Sequence, residues 1–406
     1  MCVKVACVGG GPAGLYLSIL LKLRDPSHDI TVHERNPEGS TYGVGVTYWR
    51  GLLDKLHEHD PVSARAIEES SVRWNEGVAH VRGRTTRRSG DTGHGIGRHR
   101  LLEILAGRAR SLGVRLEFEH EIMPEKLPVA DLVVAGDGVH STLRTQYADH
   151  FGTRTRRGRN RYIWLGTSKV FDAFTFTFVE TGHGWIWCYG YGFGPEGSTC
   201  VIECAPETWT GLGLDTADED DGVALLERVF ADVLDGHPLV GRSGADGGGS
   251  QWRTFRTVTN RAWHRDNLVL VGDAAHTTHY SIGAGTTLAL EDAIALAGAL
   301  HEHAALPQAL ARYEQERKQA LLAVQSAAHY SAEWYENLPR YIRLPPQQMF
   351  ALLGQRHSPL MPYLPPQLYY RIDRAAEQVE ALRRLKRRLG PKVARTVQAR
   401  ALASGK

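Results

Sequence analysis

The segment Gly9-Gly10-Gly11-Pro12-Ala13-Gly14 follows a short apolar run, Val3 to Val8, and opens a second apolar stretch, Leu15 to Leu23. A G-x-G-x-x-G spacing between a buried strand and a helix suits the first turn of a doubly wound α/β domain. Gly9 permits the tight turn, Gly11 lets a pyrophosphate approach the backbone, and Gly14 lets the helix lie close to the sheet. Pro12 and Ala13 complete the turn, where the helix N-terminus presents free N–H groups and a positive dipole end to phosphate. A second strand-like run, Ile30-Thr31-Val32-His33-Glu34, ends in an acid about 20 residues beyond the glycines, the place of a ribose-binding carboxylate. Arg35 follows it.

Two further strand ends carry acids. Asp131 to Ala135 is apolar and leads into Gly136-Asp137-Gly138-Val139-His140-Ser141-Thr142-Leu143-Arg144. Alone, an Asp-Gly turn after a strand is a turn. Asn267 to Val271 is also apolar and leads into Gly272-Asp273-Ala274-Ala275-His276, then Gly283-Ala284-Gly285-Thr286 and a long helical pattern to His301. Here Asp273 is placed to hold a sugar or ribityl hydroxyl, and the glycines let backbone approach a flat cofactor edge.

Between these segments the texture changes. Phe174 to Val179 alternates with period two, and Trp185 to Tyr191 and Ser198 to Glu203 continue the pattern, as in a half-buried antiparallel sheet. Trp185 and Trp187 put two indoles on one strand face, read as core. Gly95 to Arg110 reads as an amphipathic helix and Val114 to Glu119 as a strand. Pro307 to about Asn337 is helical, a proline-broken segment follows, and a basic helix ends the chain. The fold expected is α/β: a discontinuous Rossmann-like domain (1–72, 95–157 and 263–330), an inserted antiparallel β-sheet domain (73–94 and 158–262) and a helical C-terminal segment (331–406).

With 406 residues and a net charge of +3, the chain is large enough for two or three lobes and shows no pull toward nucleic acid. The basic run Arg383-Arg384-Leu385-Lys386-Arg387-Arg388 is read as a solvated helix face. Five cysteines, Cys2, Cys7, Cys188, Cys200 and Cys204, form no C-x-x-C pair, and the 19 histidines show no metal-ligand spacing, so no metal site is expected. No apolar stretch reaches the ~20 residues of a membrane span, and the N-terminus has no signal-peptide pattern, so the chain is read as cytoplasmic.

The three motifs, in this order and spacing, resemble the class A flavoprotein monooxygenases of the p-hydroxybenzoate hydroxylase type. The resemblance implies that Gly9 to Gly14 hold the ADP part of FAD, that the Asp137 stretch contacts FAD and NAD(P)H, and that Asp273 holds the ribityl chain. It also implies cofactor contacts for Glu34, Arg35, Gly45, Arg98, Gly272, Gly283, Ala284, Gly285 and Thr286. A narrower likeness, carried by Gly158 to Thr167, Ser198 to Cys204, His276 to Thr286 and Ser331 to Glu336, is to the branch holding salicylyl-CoA 5-hydroxylase, anthraniloyl-CoA monooxygenase and the violacein-pathway tryptophan hydroxylase.

This chain departs from that pattern in places. Tyr280 stands where the wider class has proline, an aromatic as in the branch. Tyr189 stands where the branch often has histidine. Gly354 to Arg371 matches the CoA-thioester members poorly. Trp185-Ile186-Trp187 lacks the Ile-Pro that completes the flavin-halogenase signature.

The resemblance implies hydroxylation of a small aromatic by a flavin C4a-hydroperoxide, with NADH or NADPH and O2 consumed. The substrate would be an aryl thioester on CoA or a carrier protein, or an indole-type intermediate. His279 and Tyr280, between the Gly-Asp strand and the facing glycines, are the candidates to line the substrate pocket. His276 is read as structural. The rivals are a flavin oxidase or halogenase of a biosynthetic intermediate, and a flavin-binding protein without turnover that sequesters its ligand.

Overall fold

A computed structural model describes residues 3–41, 43–241, 251–378 and 380–403. The opening strand, Lys4–Val8, is apolar and buried after its first residue, and is paired on both sides by parallel strands, Asp29–His33 and Leu132–Ala135. That explains its continuous run of small and β-branched residues, since a central parallel strand meets a covered face on each side. The six-stranded sheet runs His264–Arg265, Leu268–Leu270, Leu132–Ala135, Lys4–Val8, Asp29–His33, Arg115–Glu117, and only its first pair is antiparallel. The helix Pro12–Arg24 is buried through most of its length and packs against the helix Gly285–Glu302.

The second sheet is larger. Its order is Leu239–Val240, Arg154–Thr167, Gly197–Cys204, Gly184–Gly194, Phe174–Thr181, Val72–Val81, Arg84–Gly97, Gly45–Trp49, with Arg253–Thr259 pairing the long Arg154–Thr167 strand. One face of this sheet carries Phe176, Trp187, Tyr189 and Val201 and packs on Trp334, Tyr335 and Met349 from the C-terminal helices. The other carries Ile163, Leu165, Ile186 and Ile202 and packs on Leu226, Phe230 and Leu234. Alternation along each strand thus sorts residues between two different cores.

Two boundaries differ from the sequence reading. The helix expected from Gly95 begins at Arg98, because the strand Arg84–Gly97 runs through the glycines. A Cβ on Gly95 would come within 2.1 Å of the Gly192 carbonyl oxygen, so the glycine is there for close strand packing. Gly45–Trp49, placed by sequence in the nucleotide-binding domain, pairs with Arg84–Gly97 and belongs to the large sheet.

The C-terminal segment is helical over Leu306–Glu336, Pro346–Gly354, Pro366–Gln378 and Glu380–Ala403. Arg384 and Arg388 of the basic run are exposed on the last of these. Cys7, Cys188, Cys200 and Cys204 are free and buried, and Cys2 lies outside the described residues. Among the described residues, no helix is long and apolar enough to cross a membrane.

Candidate active site

Three chain segments, far apart in sequence, interlock at the ends of the parallel strands. Gly9 has φ +112°, and a Cβ there would lie 2.3 Å from the Gly136 carbonyl oxygen, so the first turn and the Asp137 turn touch backbone to backbone. A Cβ on Gly272 (φ +58°) would meet Ala13 at 3.4 Å, which seats the Asp273 turn against the start of the first helix. Arg144 closes the triangle: its guanidinium donates to the carbonyls of Ala274 (3.1 Å) and Val139 (2.7 Å). The Asp137 motif is therefore the joint between the other two. Asp137 itself accepts from the Thr142 and Leu143 amides, shaping its own turn, while its Oδ1 is buried without a hydrogen-bond partner.

The residues present fit a dinucleotide such as FAD. A cavity of 380 Å³ is lined by Gly10, Gly11, Glu34, Asn36 and Arg98 among others. A Cβ on Gly11 would stand in open space, and the helix it caps has no side-chain cap, so its first N–H groups are left for an anion. Glu34 is already oriented: its carboxylate accepts from the Gly10 amide at 2.8 Å and from the Asn36 amide at 2.9 Å. Arg98 begins its helix on the rim of this cavity and is close enough to draw down the Asp273 carboxyl.

Asp273 is open to water yet walled by protein; the enclosure raises its carboxyl, while His276 and Arg98 pull it down. Ala284 likewise leaves the helix Gly285–Glu302 without a side-chain cap, with Gly285 exposed and Thr286 half-buried in its first turn. Gly283 is left-handed (φ +62°), and a Cβ there would lie 2.4 Å from Thr47 Oγ1. An open concavity of 590 Å³ along the helices Pro61–Glu69 and Arg98–Ser111 contains none of the motif residues.

Gly45 has a different place from the one expected. Its amide donates to Thr199 Oγ1 (2.9 Å) and its carbonyl accepts from Tyr191 (2.9 Å), so both backbone groups are engaged with the large sheet. It is a packing point within the large sheet, where a Cβ would come within 2.7 Å of Phe193 Cβ. His276 is buried, and its Nε2 lies 2.8 Å from Asp292, which also takes Arg317 Nε at 2.7 Å and the Gly272 amide at 2.9 Å.

The loop from His276 to Gly285 lies under the large sheet, and there the site becomes aromatic. Tyr280 packs against Tyr162 (4.5 Å between ring centres), His279 (4.3 Å) and Phe255 (5.8 Å). Its hydroxyl donates to Glu203 Oε2 at 2.7 Å, and so does that of Tyr189, also at 2.7 Å. Asn160 Nδ2 donates to Glu203 Oε1 at 2.7 Å, and Trp187 Nε1 donates to Tyr189 at 3.0 Å. Burial pushes the Glu203 carboxyl up, and the Asn160, Tyr280 and Tyr189 donors draw it back down.

His279 accepts from the Ser281 amide at 3.3 Å, and burial with nearby Arg356 pushes it down to about 3, so the ring is neutral near pH 7. That suits a pocket wall and rules against a proton acceptor working near neutrality. Arg356 ties the C-terminal helices to this loop, donating to the Ser281 carbonyl at 2.7 Å. Glu203, Asn160 and Arg356 were not singled out from sequence. The signals available were the family-like stretches Gly158 to Thr167 and Ser198 to Cys204, which hold Asn160 and Glu203, and an acid, Glu203, inside the apolar run Cys200-Val201-Ile202-Glu203-Cys204.

Three converging Gly/Asp strand ends beside an aromatic-walled lobe define a flavoprotein of the monooxygenase type. Residues 2–328 match the family model described as FAD binding domain, and the chain belongs to that family, as an FAD-dependent monooxygenase of the aromatic hydroxylase kind. It is 37% identical to a salicyloyl-CoA 5-hydroxylase of Streptomyces sp over 84% of this chain and 67% of that protein. It is 34% identical to a 3-hydroxy-4-methyl-anthranilyl-[aryl-carrier protein] 5-monooxygenase of Streptosporangium sibiricum (83% of this chain, 90% of that one). It is 30% identical to the protodeoxyviolaceinate monooxygenase of Chromobacterium violaceum (89% and 96%). The fold matches crystal structures of 2-methyl-3-hydroxypyridine-5-carboxylic acid oxygenase, with a TM-score of 0.68 at 19% identity over 84% of this chain and 92% of the other.

Proposed function

We propose that this protein hydroxylates an aromatic ring carrying a hydroxyl or amino group, presented as a thioester on coenzyme A or a carrier protein. NADH or NADPH would supply electrons and O2 the oxygen. The observation that carries this reading is the engagement of Tyr280 by Glu203. A tyrosine whose one proton is donated has only lone pairs left to offer. A substrate phenol O–H or aniline N–H directed at it would be polarised, which enriches the ring and favours electrophilic oxygen transfer. FAD, once bound and reduced, supplies the activated oxygen.

The rest of the work falls to the chain. Tyr162, Tyr280 and Phe255 form a dense wall that excludes water and orients a flat ring. Arg35, Arg144, Arg253 and Arg256 all act on His140, holding its imidazole below its ordinary range behind the effect of burial. This concentration of cations beside the Asp137 turn is suited to the phosphates of a nicotinamide cofactor. The thioester part of the reading is supported by the names of two relatives, one acting on a CoA ester and one on a carrier-protein ester.

The test is NAD(P)H oxidation and mass analysis of products with three matched panels: salicyloyl and anthraniloyl thioesters, the free acids, and indoles. A 16-dalton gain on the thioesters, with faster cofactor oxidation, is the expected result. Turnover of free acids or indoles with no response to thioesters would remove the carrier from the proposal. Formation of a halogenated product in chloride, or steady silence with all three panels, would remove hydroxylation itself.

A further inference from the structure

The strand Asp29–His33 and the strand Arg115–Glu117 pair in parallel with His33 opposite Glu117. Beyond the pair the chain turns through Glu119 (φ +55°) and brings His120 back, its amide donating to the Glu34 carbonyl at 2.9 Å. Three donor-bearing side chains, 84 positions or more apart in part, thereby meet at the edge of the nucleotide-binding sheet. His33 Nδ1 lies 3.0 Å and His120 Nδ1 2.8 Å from the same oxygen, Glu117 Oε2, and the two imidazole rings stand edge to face at 4.9 Å. All three ligand atoms lie within 4.8 Å of one another.

His33 is 8% exposed, and its Nδ1 is buried without a hydrogen-bond partner despite the short approach to Glu117. Its one near partner, Glu117 Oε2 at 3.0 Å, sits at ion-pair distance but outside good hydrogen-bond geometry, so this buried nitrogen is incompletely satisfied. Two imidazoles and one carboxylate are the donor set of a zinc site that keeps one position open. Zinc holds nitrogen and oxygen at about 2.0–2.2 Å, so tetrahedral donors stand roughly 3.4 Å apart. Glu117 and His120 are 41% and 49% exposed, so both have room to rotate toward that spacing. Arg115, a cation on the same strand as Glu117, is held by Asp29 at 2.7 Å and by Thr31 at 3.0 Å.

We propose that His33, Glu117 and His120 bind one Zn2+ or similar divalent transition-metal ion, separate from the flavin cradle. The site brackets Glu34: that residue's amide donates to the Glu117 carbonyl at 2.8 Å and its carbonyl accepts from His120. An ion there clamps the two strand ends that hold the Glu34 carboxylate under Gly10. Its role is to stiffen the ribose side of the cradle, and it takes no part in the reaction.

The experiment uses full-length protein without an affinity tag, stripped by a chelator and titrated with Zn2+, with elemental analysis after desalting. One ion per chain is expected, together with a rise in the unfolding temperature. His120→Ala and Glu117→Gln, both on exposed side chains, should weaken uptake by roughly tenfold or more and abolish the temperature rise. Both should fold as the parent does when metal-free. A parent protein that retains no zinc after desalting overturns the proposal. So does equal zinc retention by parent and both variants, since the ion would then sit elsewhere.

Discussion

The Tyr280 hydroxyl and the Glu203 carboxylate lie 2.7 Å apart, joining a loop beside the flavin-type cradle to the middle of the large sheet across 77 residues of sequence. Glu203 is 1% exposed and is met by donors on both oxygens, from Asn160 on one side and from Tyr189 and Tyr280 on the other. A carboxyl group so placed orients Tyr280, the tyrosine proposed to face the substrate, and its ionisation is set against its burial.

Glu203→Gln keeps the volume and removes the titration. Burial raises the Glu203 carboxyl above its ordinary 4.5, so the folded chain holds this proton more tightly than the unfolded one. The stability from this group is then fullest below that ordinary value and is lost as pH rises through the folded value. Denaturation midpoints of the parent should fall relative to Glu203→Gln as pH rises from about 4.5. The same variant should lower kcat more than it raises KM, because a glutamine can accept on only one of the two ends where Asn160 and the tyrosines Tyr189 and Tyr280 donate. Equal pH curves and equal kcat for parent and variant would show that Glu203 is an inert core residue.

Two glycines of the first turn separate folding from binding. Gly9→Ala drives a Cβ against the Gly136 carbonyl in a left-handed conformation, and should cost roughly 3 kcal/mol or more of stability. At Gly11 a Cβ meets no atom within 4 Å, so Gly11→Ala should melt as the parent does while binding FAD about tenfold more weakly. Thermal unfolding and flavin titration read the two effects. Equal FAD affinity in Gly11→Ala would move the pyrophosphate elsewhere.

Asp273→Ala removes the acid that the strand Leu268–Leu270 delivers into the cradle. Loss of a charge-assisted hydrogen bond of about 1.5–3 kcal/mol should weaken FAD binding by roughly tenfold to a hundredfold. The preparation should leave gel filtration nearly colourless. Full retention of flavin would take Asp273 out of the site.

His279 tests the sign from the other side. Its imidazole is pushed from 6.5 down to about 3, so between these values the unfolded chain takes a proton that the folded one refuses. Stability should therefore fall as pH drops through 6.5, and His279→Gln should flatten that slope. The pH–rate profile between about 6 and 8 should be unchanged by the variant, since the ring is neutral throughout. A missing alkaline or acidic limb in the variant would restore His279 as a proton carrier.

The parallel strands and the long helices were readable because their signals are local. Val5 to Val8 must be apolar to lie between two covered faces, and the glycines at 9, 11 and 14 are demanded by a turn six residues long. The apolar spacing extends the helix back to Gly95, whereas it starts at Arg98, because Gly95 is held in a strand by its close approach to Gly192 of a distant strand. The place of Gly45 in the large sheet is hidden for a similar reason: the side chains that engage its backbone, Thr199 and Tyr191, lie about 150 residues away.

By itself, then, the amino-acid order determined the nucleotide-binding turn, the acids at the strand ends and the alternation that builds a second sheet, since each depends on neighbours within one element. Tertiary structure alone decided that Glu203 meets Tyr280, that Arg144 bridges two motifs, and that His33, Glu117 and His120 share a corner. These are choices of strand register and chain crossing. A side chain's reach is a few ångströms, and which distant residue falls within it is settled only when the sheets are paired and packed.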